Sequence, residues 1–117
     1  MSSNSNYIYW NVEARIKNKK HNEISDLIIK MKDHVATEES QTLEYDFYFN
    51  EDKSKLYINE CYSNNEAALE HLNNFNKFSD DFFKNIEILK VNMFGPVNDK
   101  IRSIFASQNT IFWSKTK

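Results

Sequence analysis

Four segments of this 117-residue chain alternate between apolar and polar residues with a period of two, and this pattern constrains its fold more than any other feature. In the first segment, residues 7–16, the apolar side chains of Ile8, Trp10 and Val12 are spaced two residues apart. Successive side chains of a β-strand point to opposite faces of the sheet, so each segment predicts a strand with one apolar face. The other three strands are predicted at residues 42–50, 55–62 and 86–94.

Two segments between these strands carry apolar residues at helical spacing. The first predicted helix has one apolar stripe, formed by Ile24, Leu27, Ile28, Met31 and Val35. Asn22 is placed to cap its N-terminus, and Ser63 or Asn64 is placed to cap the second helix. Near the end of the chain, residues 97–105 predict a short helix and residues 110–113 an edge strand.

The order strand, helix, strand, strand, helix, strand predicts an α+β fold of the ferredoxin-like βαββαβ type. Such a chain forms a four-stranded antiparallel sheet with helices on one face, here followed by a C-terminal helix and a short strand. The chain length suits one hydrophobic core. We therefore expect a single domain over residues 7–117, after a flexible N-terminus of residues 1–6.

Composition argues against several classes of function. Gly95 is the only glycine, which excludes the glycine-rich loops that bind nucleotide phosphates. With 15 basic and 17 acidic residues the formal charge is −2, so no basic surplus favours nucleic-acid binding. The chain has no apolar run of about 20 residues that could cross a membrane, and its polar start does not resemble a signal peptide. We expect a cytoplasmic protein with neither nucleic-acid nor membrane partners.

The sheet face opposite the helices carries more aromatic residues than a face exposed to water needs. Tyr9, Tyr48 and Tyr57 alternate out of phase with the apolar residues, so they belong to this face. Exposed apolar patches of this kind often mark interaction surfaces. The sequence therefore predicts a homodimer formed through this face of the sheet.

Glu60 interrupts the apolar face of its strand between Ile58 and Tyr62. A buried carboxylate without a partner costs several kcal/mol, so Glu60 needs one, and His71 on the next helix is the natural candidate. A carboxylate beside an imidazole raises the pKa of the imidazole and orients it as a proton acceptor. Glu60 and His71 are thus the candidate catalytic pair, although the same pair also has a purely structural interpretation, in which it pins the helix to the sheet.

Four aromatic residues and one amide are candidates for binding a flat aromatic substrate. Trp10, Tyr45, Tyr62 and Phe75 suit the walls of an apolar pocket, with core packing as the alternative for each. Asn92 is a candidate hydrogen-bond donor to a phenolate oxygen of the substrate. No histidine pairs with another histidine or with the single Cys61 at metal-ligand spacing, so neither a metal nor another cofactor is expected.

Several stretches, in order, resemble the antibiotic biosynthesis monooxygenase superfamily. They are residues 43–48 (LEYDFY), 59–62 (NECY), 66–71 (EAALEH), 86–96 (IEILKVNMFGP) and the tail 99–112. The resemblance spans nearly the whole chain and points to the quinol-monooxygenase-like branch. It implies a dimeric α+β barrel, and it pairs the positions of Glu60 and His71.

What the resemblance implies about function is oxidation of quinols or other electron-rich aromatics by molecular oxygen, without metal or flavin. Other members of the superfamily degrade haem, isomerise their substrates or have no known activity. A non-catalytic dimer that binds a small aromatic ligand, or serves as a scaffold, therefore stays open as the alternative. Haem binding ranks lower, because haem-degrading relatives carry a haem-ligating histidine on the helix beyond the second strand pair, and this chain has Asp80 and Asp81 in that neighbourhood and no histidine. Residues 18–21 and 39–42 also lack the Pro-Gly and Glu-Pro-Gly loops of many relatives.

Overall fold

A five-stranded sheet organises the chain, with the strands in the spatial order β2-β3-β1-β4-β5. The computed structural model describes residues 3–116. Along the chain the elements are β1 (Ile8–Ile16), α1 (His21–Glu38), β2 (Thr42–Phe49), β3 (Lys55–Tyr62), α2 (Asn65–Phe75), α3 (Ser79–Asn85), β4 (Ile86–Phe94), α4 (Asp99–Phe105) and β5 (Thr110–Trp113). Within the segment predicted to be flexible, Ser3–Asn6 form a turn of 3-10 helix.

The predicted α+β, ferredoxin-like order is confirmed. β1 pairs with β3 and β4, and β2 pairs with β3, all in antiparallel orientation. The predicted terminal edge strand is β5, which pairs with β4 in parallel orientation and makes the sheet mixed. Because β5 follows α4 directly, these two elements extend the βαββαβ unit at one side.

The core lies between the sheet and the helices. The predicted apolar stripe of α1 is buried, and alternate residues of β1 are buried from Ile8 to Ile16. The predicted cap of α1 is wrong: the helix begins at His21, one residue before Asn22, and Lys20 precedes it without a side-chain cap. Asn64 does cap α2, since its side-chain oxygen accepts a hydrogen bond from the Ala67 amide at 2.9 Å.

Two irregularities in strand pairing shift side chains away from the faces that simple alternation predicts. Between Thr42 and Glu44 the pairing of β2 with β3 slips by one residue, and Leu43 is 48% exposed rather than buried. In β4, Leu89 is the extra residue between two successive pairs with β1. An extra residue on one strand reverses the alternation beyond it. Ile88 therefore packs against the core together with Val91, whereas strict alternation places them on opposite faces.

The turn after β4 depends on Gly95, which has a φ of +108°. Its amide donates to the Trp113 carbonyl at 3.1 Å, and a Cβ at this position would collide with the Tyr7 carbonyl oxygen. Only glycine adopts such a backbone conformation readily.

Replacing Gly95 by alanine is expected to lower the free energy of unfolding by about 2–4 kcal/mol. Backbone strain at the positive φ and the collision of the new Cβ with the Tyr7 carbonyl oxygen both contribute to this loss. Urea unfolding measures the loss. Lys53→Gly is the matched control, since Lys53 also has a positive φ (58°) but lies in an exposed turn. If Gly95→Ala unfolds at the same urea concentration as the wild type, this account of the turn is wrong.

The opposite face of the sheet is rich in exposed aromatic side chains, as the sequence indicates. Tyr9 stacks on Phe94 with ring centres 4.7 Å apart, and Phe94 stacks on Trp113 at 6.3 Å. The other exposed apolar residues of this face are Tyr48, Tyr57 and Ile111. No helix in the described part of the chain is long and apolar enough to cross a membrane.

Candidate functional site

A cavity of about 560 Å³ lies between the core face of the sheet and helices α1 to α4. Its deep end is bordered by buried residues that include Trp10, Glu60 and His71. Its outer end is bordered by Phe83 and Ile104, which are 39% and 45% exposed. Pockets of this volume and mostly apolar lining are typical of sites for small organic ligands.

Three of the predicted substrate-binding residues line this cavity, namely Trp10, Tyr45 and Phe75. Tyr62 is fully buried, with its ring 4.8 Å from that of Trp10 and 5.0 Å from that of His71. It therefore supports the wall from behind instead of facing a ligand.

Asn92 is not brought to the cavity. It pairs with Asn11 across the sheet, whereas Trp10 pairs with Met93, so Asn92 lies on the opposite face from Trp10. Its side-chain oxygen accepts a hydrogen bond from the Trp113 indole at 3.1 Å. Neighbouring residues on a strand face opposite ways, so Asn92 cannot reach a substrate in this cavity. The predicted hydrogen bond from Asn92 to a substrate there is therefore wrong.

Glu60 and His71 form the predicted pair at the deep end of the cavity. The two residues are 7% and 4% exposed, and Nε2 of His71 lies 3.3 Å from Oε1 of Glu60. The Tyr62 hydroxyl donates to the same oxygen at 2.5 Å. Oε2 of Glu60 has no hydrogen-bond partner among residues 3–116, and Glu60 itself borders the cavity. One carboxylate oxygen is thus held in place and the other is left for a ligand.

Sequence reasoning missed Glu39, a second buried carboxylate that contacts His71 from the other side. Oε1 of Glu39 lies 3.0 Å from Nδ1 of His71 and accepts a 2.7 Å hydrogen bond from the Thr42 hydroxyl. Its Oε2 accepts from the Asn74 amide at 3.1 Å. The sequence resemblance places the Glu of a Glu-Pro-Gly loop near residues 39–42, and that was the available signal.

The pKa values of this cluster follow from its contacts. Burial alone would lower the pKa of His71, but hydrogen bonds to Glu39 and Glu60 raise it to about 9. Burial alone would raise the pKa of Glu39, but donation from His71, Thr42 and Asn74 lowers it to about 2. At neutral pH His71 is therefore an imidazolium between two carboxylates.

The two nearby tyrosines stay protonated over the same pH range. Burial, followed by the negative charge of Glu60, raises the pKa of both Tyr45 and Tyr62 well above 10. The Tyr62 hydroxyl is accordingly a hydrogen-bond donor to Glu60 and not a competing base.

We expect stability to be greatest between about pH 4.5 and 6.5. The pKa of His71 rises from 6.5 to about 9 on folding, so its stabilisation is complete below pH 6.5 and is lost as pH rises through 9. The pKa of Glu39 falls from 4.5 to about 2, so its stabilisation is present above pH 4.5 and is lost as pH falls toward 2. Urea unfolding at a series of pH values should show a loss on the order of 2–3 kcal/mol between pH 6.5 and 9. A flat profile over that range would contradict the charged cluster.

The described residues contain no group of three or more His, Cys, Asp or Glu side chains arranged to hold a metal ion. In the Glu39–His71–Glu60 cluster, both ring nitrogens of His71 are bonded to carboxylates. A protonated ring offers no lone pair to a metal.

Comparison with known proteins supports the fold. Neither a protein-family model nor a curated protein matches the sequence.

Among solved structures, MupZ from Pseudomonas fluorescens is 20% identical with a TM-score of 0.83, and the match covers 96% of this chain and 92% of MupZ. A putative antibiotic biosynthesis monooxygenase from Caulobacter crescentus is 13% identical with a TM-score of 0.70, covering 80% and 92%. Another so named from Bacteroides thetaiotaomicron is 14% identical with a TM-score of 0.68, covering 77% and 88%. The chain thus shares the ferredoxin-like fold of these solved structures.

Proposed function

We propose that the protein is a monooxygenase that uses molecular oxygen to oxidise a quinol or another electron-rich phenol without a resident cofactor, as in the quinol-monooxygenase-like branch. The observation that supports this best is the free Oε2 of Glu60 at the deep end of an aromatic-lined cavity. Solved structures named as putative monooxygenases, and one named as a possible oxidoreductase, share the fold.

Glu60, rather than His71, is the proton acceptor in this proposal. An imidazolium has no free nitrogen to accept a proton, whereas an ionised carboxylate has a free oxygen. The Tyr62 hydroxyl donates to Oε1, and Nε2 of the charged His71 ring lies 3.3 Å from the same oxygen; the two contacts together fix the orientation of Glu60. Glu39 in turn holds the charge and orientation of His71 from the other side.

The substrate supplies the electrons. Oε2 of Glu60 takes the phenolic proton, and the phenolate transfers one electron to oxygen, giving a phenoxyl radical and superoxide. Their combination forms a carbon–oxygen bond. Loss of the ring hydrogen and cleavage of the oxygen–oxygen bond then give a quinone, and the departing oxygen leaves as water, which takes up the proton held by Glu60 and restores its carboxylate. For a simple phenol the sum is ArOH + O₂ → quinone + H₂O. The protein orients the ring between Trp10, Tyr45 and Phe75 and keeps water away from it.

Oxygen uptake in the presence of a panel of hydroquinones and polycyclic phenols tests this function. We expect uptake, with one atom of ¹⁸O₂ in the product and the other in water. The aromatic-lined cavity also fits a non-catalytic protein that binds a small aromatic ligand. Saturable binding without oxygen uptake supports that alternative and rejects the monooxygenase.

The proposal includes a cytoplasmic homodimer formed through the exposed aromatic face of the sheet. Its support is the stacked row of Tyr9, Phe94 and Trp113 on a face that no element of the chain covers among residues 3–116. Contiguous exposed apolar patches often mark protein–protein interaction sites.

Sedimentation is expected to show a dimer for the wild type and a monomer for Trp113→Glu, because a buried charge without a partner opposes association. Ile29→Glu is the matched control, since Ile29 is 67% exposed on α1, away from the sheet face. A monomeric wild type at micromolar concentration would overturn this part of the proposal.

A further inference from the structure

One ring nitrogen of His34, on α1, lies in an unusual environment for a polar atom. The Nε2 atom of His34 is shielded from solvent and from the large cavity and has no hydrogen-bond partner, a combination found at no other side-chain nitrogen or oxygen of the described residues. Its ring packs edge-on against Phe78, with ring centres 5.7 Å apart. Most buried polar atoms in proteins are bonded to protein or to ordered water, so this nitrogen calls for a partner.

A small void is bordered by His34 and by residues of the charged cluster. It measures about 10 Å³, and its other polar neighbours are Glu39, Tyr45, His71 and Asn74, together with apolar side chains. A space of roughly 10–15 Å³ holds one water molecule, provided that two to four polar groups surround it. The void has room for one molecule only, and His34, Glu39 and Asn74 all border it, so one water there is within reach of all three.

We propose that this void is a binding site for one water molecule, through which His34 acts as a positioning residue for the Glu39–His71 pair. The chemistry of the lining fits this role. Oε2 of Glu39 accepts one hydrogen bond, from Asn74, and a carboxylate oxygen accepts two. Water both donates and accepts, so it serves His34 in either neutral tautomer while donating to Glu39.

The consequence for catalysis rests on the proposed function, whereas the water site does not. Glu39 orients His71, and His71 orients Glu60. A water between His34 and Glu39 therefore links the deep end of the cavity to α1, in addition to α2, which carries His71, and β3, which carries Glu60. Buried waters of this kind are structural parts of a protein and are costly to remove.

His34→Phe keeps the ring but removes its nitrogens, and we expect it to lose the water. A crystal structure at high resolution should show one water against Nε2 of His34 in the wild type and none in the variant. The ¹³C resonance of the Glu39 carboxylate at pH 7 should move in His34→Phe, because Glu39 loses a donor, and should return toward the wild-type position in His34→Gln. His21→Phe, on the same helix but away from the void, should leave the resonance unchanged.

A dry void in the wild type overturns the proposal, as does a water that persists in His34→Phe, or an unchanged Glu39 resonance. If His34→Phe fails to fold, the wild-type crystal structure still decides, because it shows either a water in the void or a dry void. None of these measurements requires a substrate. Absence of oxygen uptake would therefore reject the proposed function and leave the water site standing.

Discussion

Glu60→Gln is expected to lower the rate of oxygen uptake by about 10²–10⁴-fold, the usual contribution of a positioned general base. The amide has almost the shape of the carboxylate, and its carbonyl oxygen can still accept from Tyr62 and His71. It cannot take a proton from a phenol. We expect turnover to fall much more than ligand affinity, so kcat should drop while KM changes little.

Glu44→Gln is the matched control for this variant. It makes the same change of charge on the neighbouring strand, but Glu44 is exposed and pairs with Cys61, away from the cavity. Its turnover should equal that of the wild type. If Glu60→Gln retains full turnover, Glu60 is not the proton acceptor.

His71→Leu is expected to lower the free energy of unfolding by about 3–5 kcal/mol at pH 7, the usual cost of breaking a buried ion pair from one side. Glu39 and Glu60 would then face each other without the cation that separates them. His71→Asn should also be destabilised, so a loss of turnover in that variant does not by itself show a catalytic role. His21→Leu, at the start of α1, is the control for losing a histidine.

A second variant separates the charge effect from simple loss of packing. Adding Glu39→Gln to His71→Leu removes one of the two uncompensated carboxylates, so the double variant should be more stable than His71→Leu alone. Urea unfolding at pH 7 measures both. Additive losses would show that His71 contributes mainly by filling space.

Much of the fold could be predicted from local patterns. The alternation of β1 and the helical stripe of α1 each reflect burial of one face, and both are reproduced in the structure. The cap of α2 was narrowed to Ser63 or Asn64, since a cap depends on local geometry, and the structure assigns it to Asn64.

What could not be predicted depends on pairing between distant segments. Within their own strands, Leu43 and Leu89 fit the alternation expected of core residues. The one-residue shift in pairing at each position becomes visible only from the register with the partner strand. The parallel orientation of β5 is likewise set by where α4 returns the chain. Asn92 was misplaced for the same reason, because its face follows from its pairing with Asn11.

One part of the candidate site, the pair of Glu60 and His71, could be predicted from the sequence, and the other part, Glu39, could not. Glu60 stood out because a charge interrupts an apolar strand face, and this made His71 its expected partner. Glu39 gave no such signal, because it lies between α1 and β2 in a polar segment, where a glutamate is usually exposed. Its burial depends on contacts with Asn74 and His71, 35 and 32 residues away. Finding Glu39 changes the role of His71 from proton acceptor to the cation that holds Glu60.

The charge state of His71 is the central claim, and ¹⁵N NMR of its ring tests it most directly. The structure predicts that at pH 7 both ring nitrogens carry protons and that the ring titrates with a pKa near 9. A neutral His71 ring at pH 7, with a single protonated nitrogen, would contradict the imidazolium between two carboxylates and return the role of proton acceptor to His71.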